Sequence, residues 1–164
     1  MKYCPNCSSA LVKKKIDGVQ RFFCSEESCG FVQWNNPTPV VAALVSHEGQ
    51  MILARNARWP QGIFSVITGY LEMGEEPHKA VNREVEEELG LTATETEFIG
   101  HYMFKEKNQL IIAYLVVAAG AIELNHELAE YKKVSEDSLQ HYDFNPLYIT
   151  KAIVEDWLKL RGLS

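Results

Sequence analysis

All four cysteines of this 164-residue chain lie within its first 29 positions, and that confinement constrains the fold more than any other feature. Residues 1–34 hold every Cys, the run Lys13-Lys14-Lys15 and little aliphatic material. Everything after Pro37 is rich in Val, Ile, Leu and Ala. The turn-forming cluster Asn35-Asn36-Pro37 marks the boundary, so the expected division is a small unit over 1–34 and a main domain over 37–164. The spacing Cys4-x2-Cys7, sixteen residues, Cys24-x4-Cys29 offers four thiolates in two knuckles, which suits tetrahedral Zn²⁺, although four residues stand in the second knuckle where two is commoner. A redox reading of Cys4-x2-Cys7 would want a βαβ pattern around it, and none is present. With no His in the set the metal would be closed and structural, supplying folding energy to a segment too small to build a core.

The remainder can bury a sizeable core: 46% of the chain is hydrophobic, with 10 Gly and 6 Pro, which excludes disorder and fibrous repeats. The formal charge is −6, from 16 Lys+Arg against 22 Asp+Glu. That balance argues against nucleic acid as the main partner and for a phosphorylated ligand held through metal ions. No apolar run approaches the ~18–20 residues of a membrane helix, and Met1-Lys2-Tyr3-Cys4 lacks the apolar stretch of a secretory signal. The expectation is a cytoplasmic protein with no membrane partner, its cysteines thiols or metal ligands.

Val40–Ser46 and Met51–Ala54 read as a hairpin through His47-Glu48-Gly49-Gln50. Ile63–Thr68, Phe98–Phe104, Leu110–Ala118 and a short Tyr131–Val134 read as further strands, with a loop at Asp137-Ser138. Glu76-Pro77 opens a helix that Gly90 closes, with Val81, Val85 and Leu89 on its inner side. A last amphipathic helix has Asn145 as N-cap, Pro146 at its first position, and Leu147, Val154, Trp157 and Leu158 facing inward. Mixed strands flanked by two helices imply an α+β layered domain.

The first of these helices is chemically odd. Glu84, Glu87 and Glu88 are spaced i, i+3, i+4, so three carboxylates share one face, where like charges cost a few tenths of a kcal/mol per pair. Glu88, near the C-terminus, also opposes the helix dipole. A hard divalent cation such as Mg²⁺ removes the conflict. Reading outward gives Gly69, five residues, Glu75, seven residues, Arg83-Glu84-Val85, one residue, Glu87-Glu88, one residue, Gly90-Leu91. Every specified position of the Nudix box is filled by this run, which resembles that family over about four-fifths of the chain.

The resemblance implies a Nudix α/β/α sandwich and hydrolysis of a nucleoside diphosphate linked to another moiety. It implies that Glu84, Glu87, Glu88 and the Gly69 carbonyl hold Mg²⁺ or Mn²⁺, and that Arg83 and Glu75 pair to hold the loop against the helix. The general base would be a box glutamate or one from a later loop, with Glu127, Glu130 and Glu106 as candidates. A zinc ribbon directly before such a domain is similar to NADH pyrophosphatases and to some FAD or ADP-ribose pyrophosphatases, and such relatives suggest a homodimer. The NADH enzymes carry a Ser-Gln-Pro-Trp-Pro-Phe-Pro-x-Ser array after the box. Here Gly100-His101-Tyr102-Met103-Phe104-Lys105-Glu106 stands near that position, which puts FAD and ADP-ribose ahead of NADH.

On the ligand side, an adenine needs an aromatic face, for which Tyr70 and Phe104 are the preferred candidates. Arg55 and Arg58 either reach a phosphate or remain loop charges, and Arg55 is taken as the ligand-binding one. Two other readings stand beside the leading one: a nucleoside-triphosphate or capped-RNA pyrophosphohydrolase, and a non-catalytic nucleotide-sensing module. The intact box weighs against the latter.

Overall fold

In the computed structural model, which describes residues 1–162, the chain forms two compact units, one over 1–37 and one from Thr38 onward. In the first unit, strands β1 (Leu11–Ile16), β2 (Val19–Cys24) and β3 (Val32–Gln33) make an antiparallel sheet in that order. Asp17 and Gly18 join β1 to β2 with φ of 50° and 82°, the mirror-image turn whose twist matches a two-residue hairpin. The only buried hydrophobic side chains of this unit are Cys4 and Cys24, so no apolar core holds it.

The second unit is a six-stranded mixed sheet between helices. Its strands are β4 (Thr38–His47), β5 (Gln50–Asn56), β6 (Ile67–Tyr70), β7 (Thr92–Phe104), β8 (Gln109–Ala119) and β9 (Leu128–Val134). The order is β7-β8-β4-β5-β9, with β6 added antiparallel to β4. Only β4 and β8 run parallel. Along one edge, β4 is shared: Val40 to Ala43 pair with β6, and Val45 to His47 pair with β5.

Strand alternation sorts two cores. Val40, Ala42 and Leu44 of β4 pack with Ile153, Val154, Trp157 and Leu158 of helix α3 (Tyr148–Leu160). Val41, Ala43 and Val45 pack with Ala80, Val81, Val85 and Leu89 of helix α1 (Pro77–Leu89). Each fully buried Val or Leu contributes roughly 1.5–3 kcal/mol, and a strand buried on both faces reads as a continuous apolar run. This is an α+β, Nudix-like α/β/α sandwich.

Several boundaries differ from the sequence reading. The third strand is Ile67–Tyr70 and not Ile63–Thr68, because β4 selects residues 67–70 as partners, while Ser65 only bridges to Ala54. A short helix α2 (Glu136–Leu139) stands where a loop was expected, capped by Ser135 accepting from the Ser138 N–H. The last helix starts at Tyr148 and not Pro146: the Asn145 side chain donates to Asp143 Oδ1 at 2.7 Å and so does not cap it. No helix of the described residues is long and apolar enough to cross a membrane.

Candidate active site

Helix α1 carries the acidic row to one end of the sheet. It is bounded by Pro77 in its first turn and by Gly90, whose left-handed φ of 69° lets its N–H reach Glu86 O. Burial of Val81, Val85 and Leu89 fixes its rotation, which leaves Glu84 12% and Glu87 55% exposed at their side chains and Glu88 only 7% exposed.

Arg83 organises the row. Its Nε and a terminal nitrogen grip both oxygens of Glu75 at 2.9 and 3.0 Å. The other terminal nitrogen donates to Glu84 at 2.8 Å and Glu87 at 3.1 Å, and a further bond reaches the Tyr70 carbonyl. The hydrogen bond from Arg83 holds the Glu75 carboxyl below the usual carboxylate range, and Glu75 accepts the Glu72 N–H as well. The loop 72–76 is thereby tied to the helix.

Gly69, on β6, meets Glu84 closely: a Cβ built there would lie 1.8 Å from the Glu84 carboxyl carbon. Its φ is not positive, so glycine is required by this close approach alone.

Glu88 has no cation within ion-pair distance among the described residues. Burial first, and then the charges of Glu84, Glu127 and Glu87, push its carboxyl up to about 8. Burial also raises Glu84, against the pull of Arg83. Glu127 is positioned by backbone on both sides: its carbonyl accepts from Ala57 at 2.7 Å, its N–H donates to Asn125 Oδ1, and the Asn125 N–H donates to the Glu88 carbonyl.

Glu84, Glu87, Glu88, Glu127 and Gly69 line one cleft of about 790 Å³. Tyr70 and Phe104 line it too, and Phe104 meets Tyr148 edge-on at 5.8 Å. Arg55 does not line it: its guanidinium is spent on Glu130 at 2.6 Å and on the Trp59 carbonyl. Arg58 lines the cleft in its place. Glu130 is thus paired with Arg55, and Glu106 accepts from the Tyr148 hydroxyl. Neither is on the cleft wall, so of the three loop candidates for the base only Glu127 faces it.

Sequence reasoning missed Glu72, Trp59, Gln109 and Tyr148 as wall residues. For Gln109 a signal existed, because the turn after Phe104 returns it directly opposite Phe104 in the β7–β8 register.

The row can hold a hard cation. Its donors are carboxylate oxygens beside a backbone carbonyl, the set that Mg²⁺ and Mn²⁺ take, and the uncompensated crowding at Glu88 is what a dication removes. The carboxylates are not closely gathered. Among the described residues only the cysteine set brings three or more ligand atoms within 4.8 Å of one another, while Arg83 draws Glu84 and Glu87 to itself.

In the first unit Cys4 and Cys29 sulfurs lie 3.6 Å apart, and those of Cys7 and Cys24 3.4 Å. The edge of a tetrahedron with 2.3 Å Zn–S bonds is about 3.8 Å, so the four sulfurs fit such a site. Burial pushes the Cys24 thiol up to about 12, while the Ser9 backbone and side chain pull Cys7 down to about 6. A bound dication favours the thiolate at all of them.

The NUDIX domain family model matches residues 35–152. An NAD-capped RNA hydrolase of Pseudomonas aeruginosa is 28% identical over 113 residues, covering 69% of this chain and 39% of that protein. A mitochondrial NAD(P)H pyrophosphatase of Mus musculus is 29% identical over 134 residues, 80% of this chain and 37% of that one. The chain therefore spans under half the length of these relatives. A NUDIX hydrolase structure from Nitrosomonas europaea superposes with a TM-score of 0.80 at 19% identity, covering 99% of this chain and 93% of its own. With Gly69, Glu84, Glu87 and Glu88 on one cleft and the family model matched over residues 35–152, this chain belongs to the NUDIX family.

Proposed function

We propose that this chain hydrolyses the pyrophosphate bond of a nucleoside diphosphate linked to another moiety, with an ADP-linked dinucleotide or sugar as substrate. The observation that carries the reading is the buried, uncompensated Glu88 beside Glu84, Glu87 and Glu127 on a cleft of about 790 Å³. Glu84, Glu87, Glu88 and the Gly69 carbonyl would hold Mg²⁺ or Mn²⁺. Bound dications supply charge neutralisation at the phosphate oxygens and a more acidic water.

The protein's own residues do the rest. Water attacks one phosphorus, the bond from that phosphorus to the bridging oxygen breaks, and the second phosphate leaves. Glu127 takes the proton of the attacking water. Arg83 and Glu75 keep the loop and helix in register, so that the backbone carrying the carboxylates is fixed before a metal draws their side chains together. Arg58 places a positive charge on the cleft wall, where it would meet a substrate phosphate. Tyr70 and Phe104 offer apolar faces to the base.

The names of the relatives bring NADH and NAD-capped RNA alongside FAD and ADP-ribose, where the missing Trp-Pro-Phe array alone ranks NADH last. Side-by-side kcat/KM values with Mg²⁺ or Mn²⁺ for NADH, an NAD-capped oligonucleotide, FAD, ADP-ribose and dATP test the assignment. The expected result is an ADP-linked cofactor first. A value for dATP above all the others would favour the triphosphate reading, and turnover of none would favour the sensing module.

The four cysteines would hold one structural Zn²⁺. About one zinc per chain is expected to survive dialysis, and Cys4→Ser is expected to raise proteolysis within residues 1–37 while leaving kcat within about twofold. Zinc-free protein with four titratable thiols and an equally protected first unit would refute it.

A further inference from the structure

Gln109 has no part in the chemistry above, yet it lines the same cleft between the two aromatic residues. It begins β8 directly opposite Phe104 at the end of β7, and opposed residues on an antiparallel pair share a face. From that position its Nε2 donates to the Tyr70 hydroxyl at 3.2 Å. Tyr70 is 61% exposed, so its ring offers a free face at the mouth of the cleft. The wall is continued by Phe104, against which Tyr148 stands edge-on and over which Lys107 lies at 5.6 Å.

A carboxamide has two N–H donors and a carbonyl acceptor. In the observed orientation of Gln109 one donor is engaged by Tyr70. What remains is the whole carbonyl and a single N–H, an acceptor beside a donor. Adenine presents the complement on either edge, the 6-amino donor next to N7 or next to N1, and glutamine pairs with it in that way. A purine with a 6-oxo group places an acceptor where the amine would be, which sets oxygen against the Gln109 carbonyl. A fixed amide can discriminate between the two, whereas a freely rotating one can turn to suit either.

Resting on the ADP-linked reading above, we infer that Gln109, oriented by Tyr70, selects a 6-amino purine over a 6-oxo purine on the Tyr70–Phe104 wall. Gln109 is the specificity-determining group and Tyr70 is a positioning residue for it. The carboxamide of a nicotinamide half also offers a donor beside an acceptor, so adenine must be separated from it experimentally.

The test uses the whole protein and a pair of dinucleotides that differ only at that position, nicotinamide adenine dinucleotide and nicotinamide hypoxanthine dinucleotide. Native protein is expected to favour the adenine form by about tenfold or more in kcat/KM, mostly through KM. Gln109→Leu should bring the ratio towards one. Tyr70→Phe, which keeps the ring and removes the hydroxyl, should also collapse the ratio by freeing the amide, an effect that a merely structural role would not produce. In parallel, calorimetric titration with AMP, IMP and nicotinamide mononucleotide reads the same preference without turnover. AMP should bind about tenfold tighter than IMP, and the difference should vanish in Gln109→Leu.

A ratio near one in native protein, or one that persists in Gln109→Leu, overturns the inference and leaves the hydrolase reading standing. If neither dinucleotide is cleaved, the substrate reading fails and the titrations decide Gln109 alone. There, equal or absent binding of AMP and IMP rejects it, and a Gln109-dependent preference for nicotinamide mononucleotide over AMP rejects adenine as its ligand.

Discussion

Replacing Gly69 with alanine is expected to lower kcat at least about 100-fold while the thermal midpoint moves by no more than about 3 °C. The new methyl carbon would sit 1.8 Å from the Glu84 carboxyl carbon and 2.0 and 2.3 Å from its oxygens. Something must give, and the backbone need not. The φ of Gly69 is one that an L-residue adopts, and the atoms in the way are the far end of a flexible side chain, tied to the surroundings by its bond to Arg83. The carboxylate is expelled and the fold remains. Loss of a single well-placed polar group that stabilises a transition state costs a factor of about 10²–10³. Ala at 69 with full hydrolysis would mean that Glu84 is not needed in its observed place. Loss of cooperative unfolding would mean that the strand, and not the side chain, absorbed the clash.

The second large effect combines two opposite signs in one variant. Glu88→Gln should lower kcat at least about 100-fold and, in metal-free protein at pH 8, raise the thermal midpoint by several degrees. A buried carboxyl raised to about 8, against about 4.3 in the unfolded chain, binds more protons when folded than when unfolded. Stability then falls as pH rises, with the loss beginning near the unfolded value and complete once pH passes the folded one. Below about pH 4 the carboxyl is neutral in both states, and the variant should show no gain. Thermal scans in chelator at pH 4 and pH 8 check this directly. A variant less stable than the parent at pH 8 would show that Glu88 is compensated after all. Saturating Mg²⁺ should erase the parent's deficit, since the cation meets the charge that burial leaves exposed to its neighbours.

Much of this was legible in the residues themselves. The acidic helix was readable from end to end because its limits are chemical: Pro77 can begin a helix but not continue one, and Gly90 takes a left-handed φ that closes it. The two-sided burial of Val40–Val45 was readable as an unbroken apolar run. What escaped reading depends on partners distant in sequence. The third strand was misplaced because Ile63–Val66 is as apolar as Ile67, and only the pairing offered by β4 separates them. Asn145 looked like a cap until Asp143 claimed its amide. Of Arg55 and Arg58, which follow the same strand, Arg55 was the one expected at the ligand. Glu130, seventy-five residues away from Arg55, separates them by neutralising one and leaving the other on the wall. Tyr148 had no local signature, and Gln109 only the short turn that returns it opposite Phe104, because a wall residue is defined by what stands across from it.

The divided edge of β4 bears on folding fidelity. A strand whose alternate residues feed two different cores tolerates no slip, since a shift by one position would exchange every side chain between them. The same strand sets Val41 opposite Gly69, so the alignment that sorts the cores also brings Gly69 beneath Glu84. A slip by one residue, which would carry Gly69 away from Glu84, would therefore also exchange the two cores, so the interior opposes the same error that would spoil the site.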